Sequence, residues 1–96
     1  MKHASFSGVV LSGHKQDAVE VPFSPAERWG IRPQRVGPRR LGYAVHGTVE
    51  GVPFDSHIVA RSRRFWLLLE PSFEALAGIH SGASVKIVLR VPDGGA

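Results

Sequence analysis

Ninety-six residues with 43% apolar and 21% charged side chains, a net charge of +4 and no cysteine make a single domain, residues 1–96, with little room for a deep cleft. The lack of cysteine excludes a disulfide framework, a thiolate metal site and thiol catalysis, and it agrees with a reducing, cytoplasmic setting. The longest apolar run, Phe65 to Leu69, is too short to span a bilayer, so no membrane partner is expected.

The opening MKHASFSGVVLSGHK is too short in its apolar stretch, and too broken by Ser and Gly, for a secretory signal. Valines and a phenylalanine flanked by turn formers predict strands over Ala4 to Ser12 and Ala18 to Val21, joined by a Ser-Gly-His-Lys-Gln-Asp turn. Ser24-Pro25-Ala26-Glu27 is a capping box: the Ser24 hydroxyl accepts the Glu27 N–H, and Pro25 takes the first helical position, where its missing donor costs nothing. Gly30 ends that helical turn. From Ile31 to Arg40 the chain reads as a loop carrying four arginines and no acid. Leu41 to Val49 and Val52 to Ala60 form a hairpin about the two-residue turn Glu50-Gly51, with Val49 facing Val52 and His46 facing Asp55. Phe65 to Glu70 is a further strand, Ser72 to Ala77 a second short helix capped by Ser72 and closed by Gly78, and Ser84 to Val91 the last strand.

The two halves rhyme. Shifted by 48 positions, Val21-Pro-Phe-Ser24 with Gly30-Ile31 falls on Leu69-Glu-Pro-Ser72 with Gly78-Ile79. A β chain that repeats such a unit buries the apolar faces of both copies around a pseudo-twofold axis and removes exposed strand edges by closing a barrel.

Phe6-Ser-Gly-Val-Val, Val19-Glu-Val-Pro-Phe, Gly47-Thr-Val-Glu-Gly-Val-Pro-Phe54, Trp66-Leu-Leu-Leu and Ala77-Gly-Ile-His-Ser-Gly-Ala-Ser-Val-Lys-Ile87 resemble, nearly end to end, the small bacterial domain-of-unknown-function family nineteen-oh-five. The resemblance implies a mainly β fold: a small double-split β-barrel with two short helices and an internal pseudo-twofold repeat, similar to AbrB- and MazE-type barrels but built from one chain. It implies no activity and no cofactor. Against the family pattern, Glu50-Gly51 stands where Asn-Gly is usual and Gly82-Ala83 where Gly-Asp is usual. The stretch from Ile31 to Arg40 is several residues longer than the pattern.

Nine of the twelve basic residues are arginine. Arg32, Arg35, Arg39 and Arg40 in the loop, Arg61, Arg63 and Arg64 in the next turn, and Arg28 on the first helix are the candidates for a nucleic acid or other polyanion, because guanidinium forks pair bidentately with phosphate oxygens. The bland alternative is a solvated rim, since a coding bias toward arginine gives the same composition and no aromatics interleave the charges. His46, Asp55 and His57 on one strand face are a metal inventory, or else an ordinary solvent face. Trp29, Tyr43, Trp66 and Phe73 are candidates to line a barrel-end pocket, or else core filling. His3, His14 and His80 sit in tails or turns with no paired carboxylate nearby in sequence, and no serine-nucleophile or phosphate-loop motif is present. The expected function is a small non-catalytic binding module, monomeric or homodimeric. The alternatives are a DNA- or RNA-binding accessory protein using residues 31–40, and a small-molecule enzyme with a barrel-end pocket.

Overall fold

The computed structural model describes residues 2–13 and 16–91. His14 therefore lies outside the described residues. Among them the elements run β1 His3–Leu11, β2 Asp17–Val21, α1 Pro25–Trp29, β3 Gln34–Gly37, β4 Arg40–Val49, β5 Val52–Arg61, β6 Arg64–Leu69, α2 Pro71–Ala77 and β7 Ser84–Arg90. All pairings are antiparallel, in the order β3-β4-β5-β6-β2-β1-β7, and β7 returns to β4. Six strands thus close a barrel, and β3 stays outside it, paired with the first residues of β4. No helix among the described residues is long and apolar enough to cross a membrane.

The barrel is split twice. β1 and β2 pair at Val10↔Val19 and Leu11↔Ala18 before they part, and β5 and β6 pair from Ile58↔Leu67 to Arg61↔Arg64 before they part. These registers carry the symmetry. Ile58 and Leu67 stand 48 positions beyond Val10 and Val19, so β5 repeats β1 and β6 repeats β2. The β2–β6 ladder maps onto itself under that shift, and the pair that is its own image is Val19↔Leu67. Gly8 pairs with Val85, while Ser56, 48 beyond Gly8, pairs with Val45; β7 therefore repeats β4 at a shift of 40. In the β4–β7 ladder the self-image pair is Thr48↔Val88. A pseudo-twofold axis runs through both pairs.

The shift drops from 48 to 40 somewhere before β4. Gly30 and Gly78, the left-handed ends of α1 and α2 with φ of 65° and 69°, are still 48 apart. The first half thus carries eight extra residues between Gly30 and β4, within the arginine-rich stretch. This stretch is not the plain loop expected from its prolines and glycines. β3 pairs Gln34↔Gly42, Arg35↔Leu41 and Gly37↔Arg40, with a register shift after Arg35.

Side-chain alternation explains what holds that hairpin down. On β6, Phe65, Leu67 and Leu69 face the inner core, while Trp66 and Leu68 face outward and join Ala18 and Val59 in a second buried cluster on the outer wall. Val36 of β3 packs on this cluster. Gly42 allows the approach, since a Cβ there would stand 2.7 Å from the Ile58 carbonyl oxygen and 3.1 Å from Val36. The insertion is therefore a cover over apolar surface that would otherwise face water.

The helices obey different caps. The Ser24 hydroxyl accepts the Glu27 N–H at 3.3 Å, as the capping box predicts. Ser72 does not repeat the role. Pro71 occupies the first turn, the cap position is Glu70, and its side chain makes no capping bond. Ser24→Ala should lower stability by about 1 kcal/mol and Ser72→Ala by less than about 0.5 kcal/mol. Equal losses in urea melts would contradict this assignment.

Candidate functional site

The β4–β5 register places Gly42 opposite Val59. Carried two positions further, it sets Arg40 level with Arg61, where the pair Arg61↔Arg64 closes the β5–β6 turn. The turn at 37–40 and the turn at 61–64 are therefore neighbours. β2 ends at this same rim, with Val21 paired to Phe65, so the α1 segment that follows brings Arg28 and Arg32 to the same end. All eight candidate arginines, Arg28, Arg32, Arg35, Arg39, Arg40, Arg61, Arg63 and Arg64, are exposed there. Arg28 lies 5.1 Å from the Phe23 ring centroid, and Arg64 pairs with Glu20 at 3.4 Å with both side chains well solvated.

The β5–β6 turn is also strained. Ser62 and Arg63 both hold left-handed backbone, φ 53° and 65°, where the hairpin geometry favours Asn-Gly. The Glu50-Gly51 turn has the same form, φ 50° and 80°, with glycine in its second place. There the Glu50 backbone donates to the Lys86 carbonyl at 2.9 Å and its carboxylate accepts the Lys86 N–H. At 61–64 serine and arginine hold those two places, and the turn presents Arg61, Arg63 and Arg64.

The opposite end is acidic. β2 begins there at Asp17, α2 carries Glu70 and Glu74, and the β4–β5 turn brings Glu50. Oε2 of Glu74 is buried, and no N–H or O–H among the described residues donates to it. Burial, with the hydrogen-bonded Asp17 carboxyl and its charge added, pushes the Glu74 carboxyl from about 4.5 up to about 7. The shift favours the neutral form of Glu74 beside Asp17. Because the folded value is raised, this pair favours folding fully below about pH 4.5 and its contribution is lost as pH rises through about 7. Thermal melts should show Glu74→Gln removing that fall in stability between pH 5 and 8; an unchanged slope would contradict the raised Glu74 value.

His46 faces Asp55, as the turn predicts, and His57, opposite Ala44, is their diagonal neighbour; the three line one shallow pocket with Glu70, but no group of three His, Asp or Glu side chains among the described residues is placed to hold a metal ion. His46, Asp55 and Arg90 flank an open groove floored by Thr48, Pro53, Phe54 and Val88. Trp29 and Tyr43 are buried in the inner core, and Phe73 packs against it, 5.5 Å from Phe54; Trp66 belongs to the outer cluster instead. Trp29 also donates its indole N–H to the His3 carbonyl at 3.4 Å, tying α1 to the start of β1, and His80 bonds locally with the Ser81 carbonyl.

Two features lie beyond what the sequence reading names. The Asp17–Glu74 pair is separated by most of the chain and has no sequence signature. The meeting of the two arginine turns did have one, because the Val49↔Val52 pairing fixes the register that aligns Arg40 with Arg61.

The sequence profile of a domain-of-unknown-function family, DUF1905, matches residues 6–89, which takes in both barrel halves and the arginine hairpin between them. No curated protein matches the chain. A match over nearly the whole length, on a barrel whose two halves repeat each other, makes the chain a member of that family of unknown function.

Proposed function

We propose that the protein is a small cytoplasmic binding module that holds a polyanion, a phosphate backbone above all, on its arginine-rich end. The observation that carries this reading is the adjacency of the 37–40 and 61–64 turns, which gathers eight arginines at one end, outnumbering Glu20 and Glu27 there, while Asp17, Glu50 and Glu70 lie at the other. Such a charge separation gives the molecule a directional field that steers anions to one face. The left-handed Ser62-Arg63 turn supports it, since strain kept in a surface turn points to a use for what the turn displays. The hairpin's packing on Trp66 and Val59 holds Arg35, Arg39 and Arg40 on folded backbone, which lowers the ordering cost of binding.

The test is a titration of random-sequence duplex DNA and of polyphosphate at several salt concentrations. Changing Arg32, Arg35, Arg39 and Arg40 to Gln should weaken binding to both, and on the duplex the slope of log affinity against log salt should shrink by roughly 0.9 for each phosphate no longer neutralised. Melting should barely move, because exposed arginines add little to stability. Equal affinity and equal slope for the two proteins would reduce the arginine end to a solvated rim.

A further inference from the structure

Leu41 stands in the middle of the arginine end with 60% of its surface exposed. It follows Arg39 and Arg40 in the chain and faces Arg35 across the β3–β4 hairpin. On β4, Tyr43, Val45 and Val49 point into the inner core. Leu41 shares their face but lies beyond the rim, two residues past the point where that face is covered. Phosphate oxygens offer an aliphatic side chain nothing. A leucine set among cations can serve an anion that also presents apolar surface, and in a nucleic acid that surface is the stacked bases.

Resting on the polyanion reading above, we infer that the ligand of this end is duplex DNA, and that Leu41 is inserted as a wedge between base steps from the minor groove. Arginines are drawn to the negative potential of a narrow minor groove. Aliphatic wedges beside such arginines unstack a step and kink the duplex. The hairpin supplies both from a two-stranded ribbon whose other face is fixed to the barrel by Val36. Single strands are held differently, on exposed aromatic platforms. Here Trp29, Tyr43 and Trp66 are buried, and the half-buried Phe23 and Phe65 at this end are taken up by edge-on packing against Trp29 and Tyr43, with Arg28 lying over Phe23.

The experiment uses the full chain and a short A·T-rich duplex with a fluorophore at each end, alongside the matching single strand and polyphosphate. The wild-type protein should shorten the end-to-end distance of the duplex. Leu41→Ser should abolish that shortening and weaken duplex binding about tenfold with an unchanged salt slope, while polyphosphate binding stays the same. Leu41→Met, which keeps an apolar wedge of similar volume, should retain both. Because Leu41 is exposed, neither change threatens the fold, and a circular dichroism melt verifies it. If Leu41→Ser binds and bends the duplex like wild type, or if wild type prefers the single strand, the wedge is overturned while the polyanion reading stands. If wild type binds neither duplex nor polyphosphate, both fall together.

Discussion

Gly47→Ala is expected to remove about 4 kcal/mol or more of folding stability, a large part of what a domain of this size possesses. Gly47 lies on β4 where it pairs with Leu89 of β7, one position from the pseudo-axis pair Thr48↔Val88. Its φ is +155°, and an added Cβ would stand 1.9 Å from the Val88 carbonyl oxygen and 2.9 Å from its carbon. These are backbone atoms within a paired ladder and cannot step aside as a side-chain tip would. Relief requires β4 and β7 to separate, and that is the seam that closes the barrel. Gly51→Ala is the matched control. Gly51 also holds a positive φ, +80°, yet nothing lies within 4 Å of its would-be Cβ, so the change should cost only about 1 kcal/mol of conformational strain. Urea melts of the two variants separate strain from collision. Similar losses would show that β4 and β7 yield more easily than their geometry implies.

That asymmetry is hidden in the sequence, where residues 46–49 read as an ordinary strand. The legible parts share one cause: they depend on short-range chemistry. The Ser24 cap, the Glu50-Gly51 turn and the Val49↔Val52 pairing follow from residues within a few positions of each other. The repeat is legible because matching helix ends, Gly30 and Gly78, survive in both halves. Ser72 breaks the rhyme because a local rule overrides it: a proline at the first helical position moves the cap to the residue before it, Glu70. β3 is illegible for a different reason. Gln34 to Gly37 is a poor strand by propensity, and the force that orders it is the burial of a single side chain, Val36, on an outer cluster assembled from β2, β5 and β6. Packing of that range leaves no local period to read. The candidate site divides in the same way: the hairpin register already sets the 37–40 turn beside the 61–64 turn, while the arrival of Arg28 and Arg32 at that rim requires the β2–β6 pairing of the closed barrel.

Leu67→Ala should cost about 3 to 5 kcal/mol, near the upper range for deleting a buried leucine. Leu67 is fully buried, pairs with Val19 on the pseudo-axis and with Ile58 on the other side, and so is shared by the two repeats. Its neighbours are ladder residues fixed by hydrogen bonds on both edges, which prevents the walls from collapsing into the space left behind. The adjacent residue Leu68 offers the comparison. It is 8% exposed in the outer cluster, under a cover of which Val36 on the appended hairpin is one part. That hairpin is joined to the barrel along one edge, so it can settle inward, and Leu68→Ala should cost about 1 to 2 kcal/mol less than Leu67→Ala. Leu76→Ala, at a residue 78% exposed on α2, should change stability by less than about 0.5 kcal/mol. The order Leu67, Leu68, Leu76 in denaturant midpoints is the expected result. A Leu68 loss as large as that of Leu67 would mean that the arginine hairpin is as rigid as the barrel wall, and then the surface it presents to a phosphate backbone is preset by folding and needs no adjustment on binding.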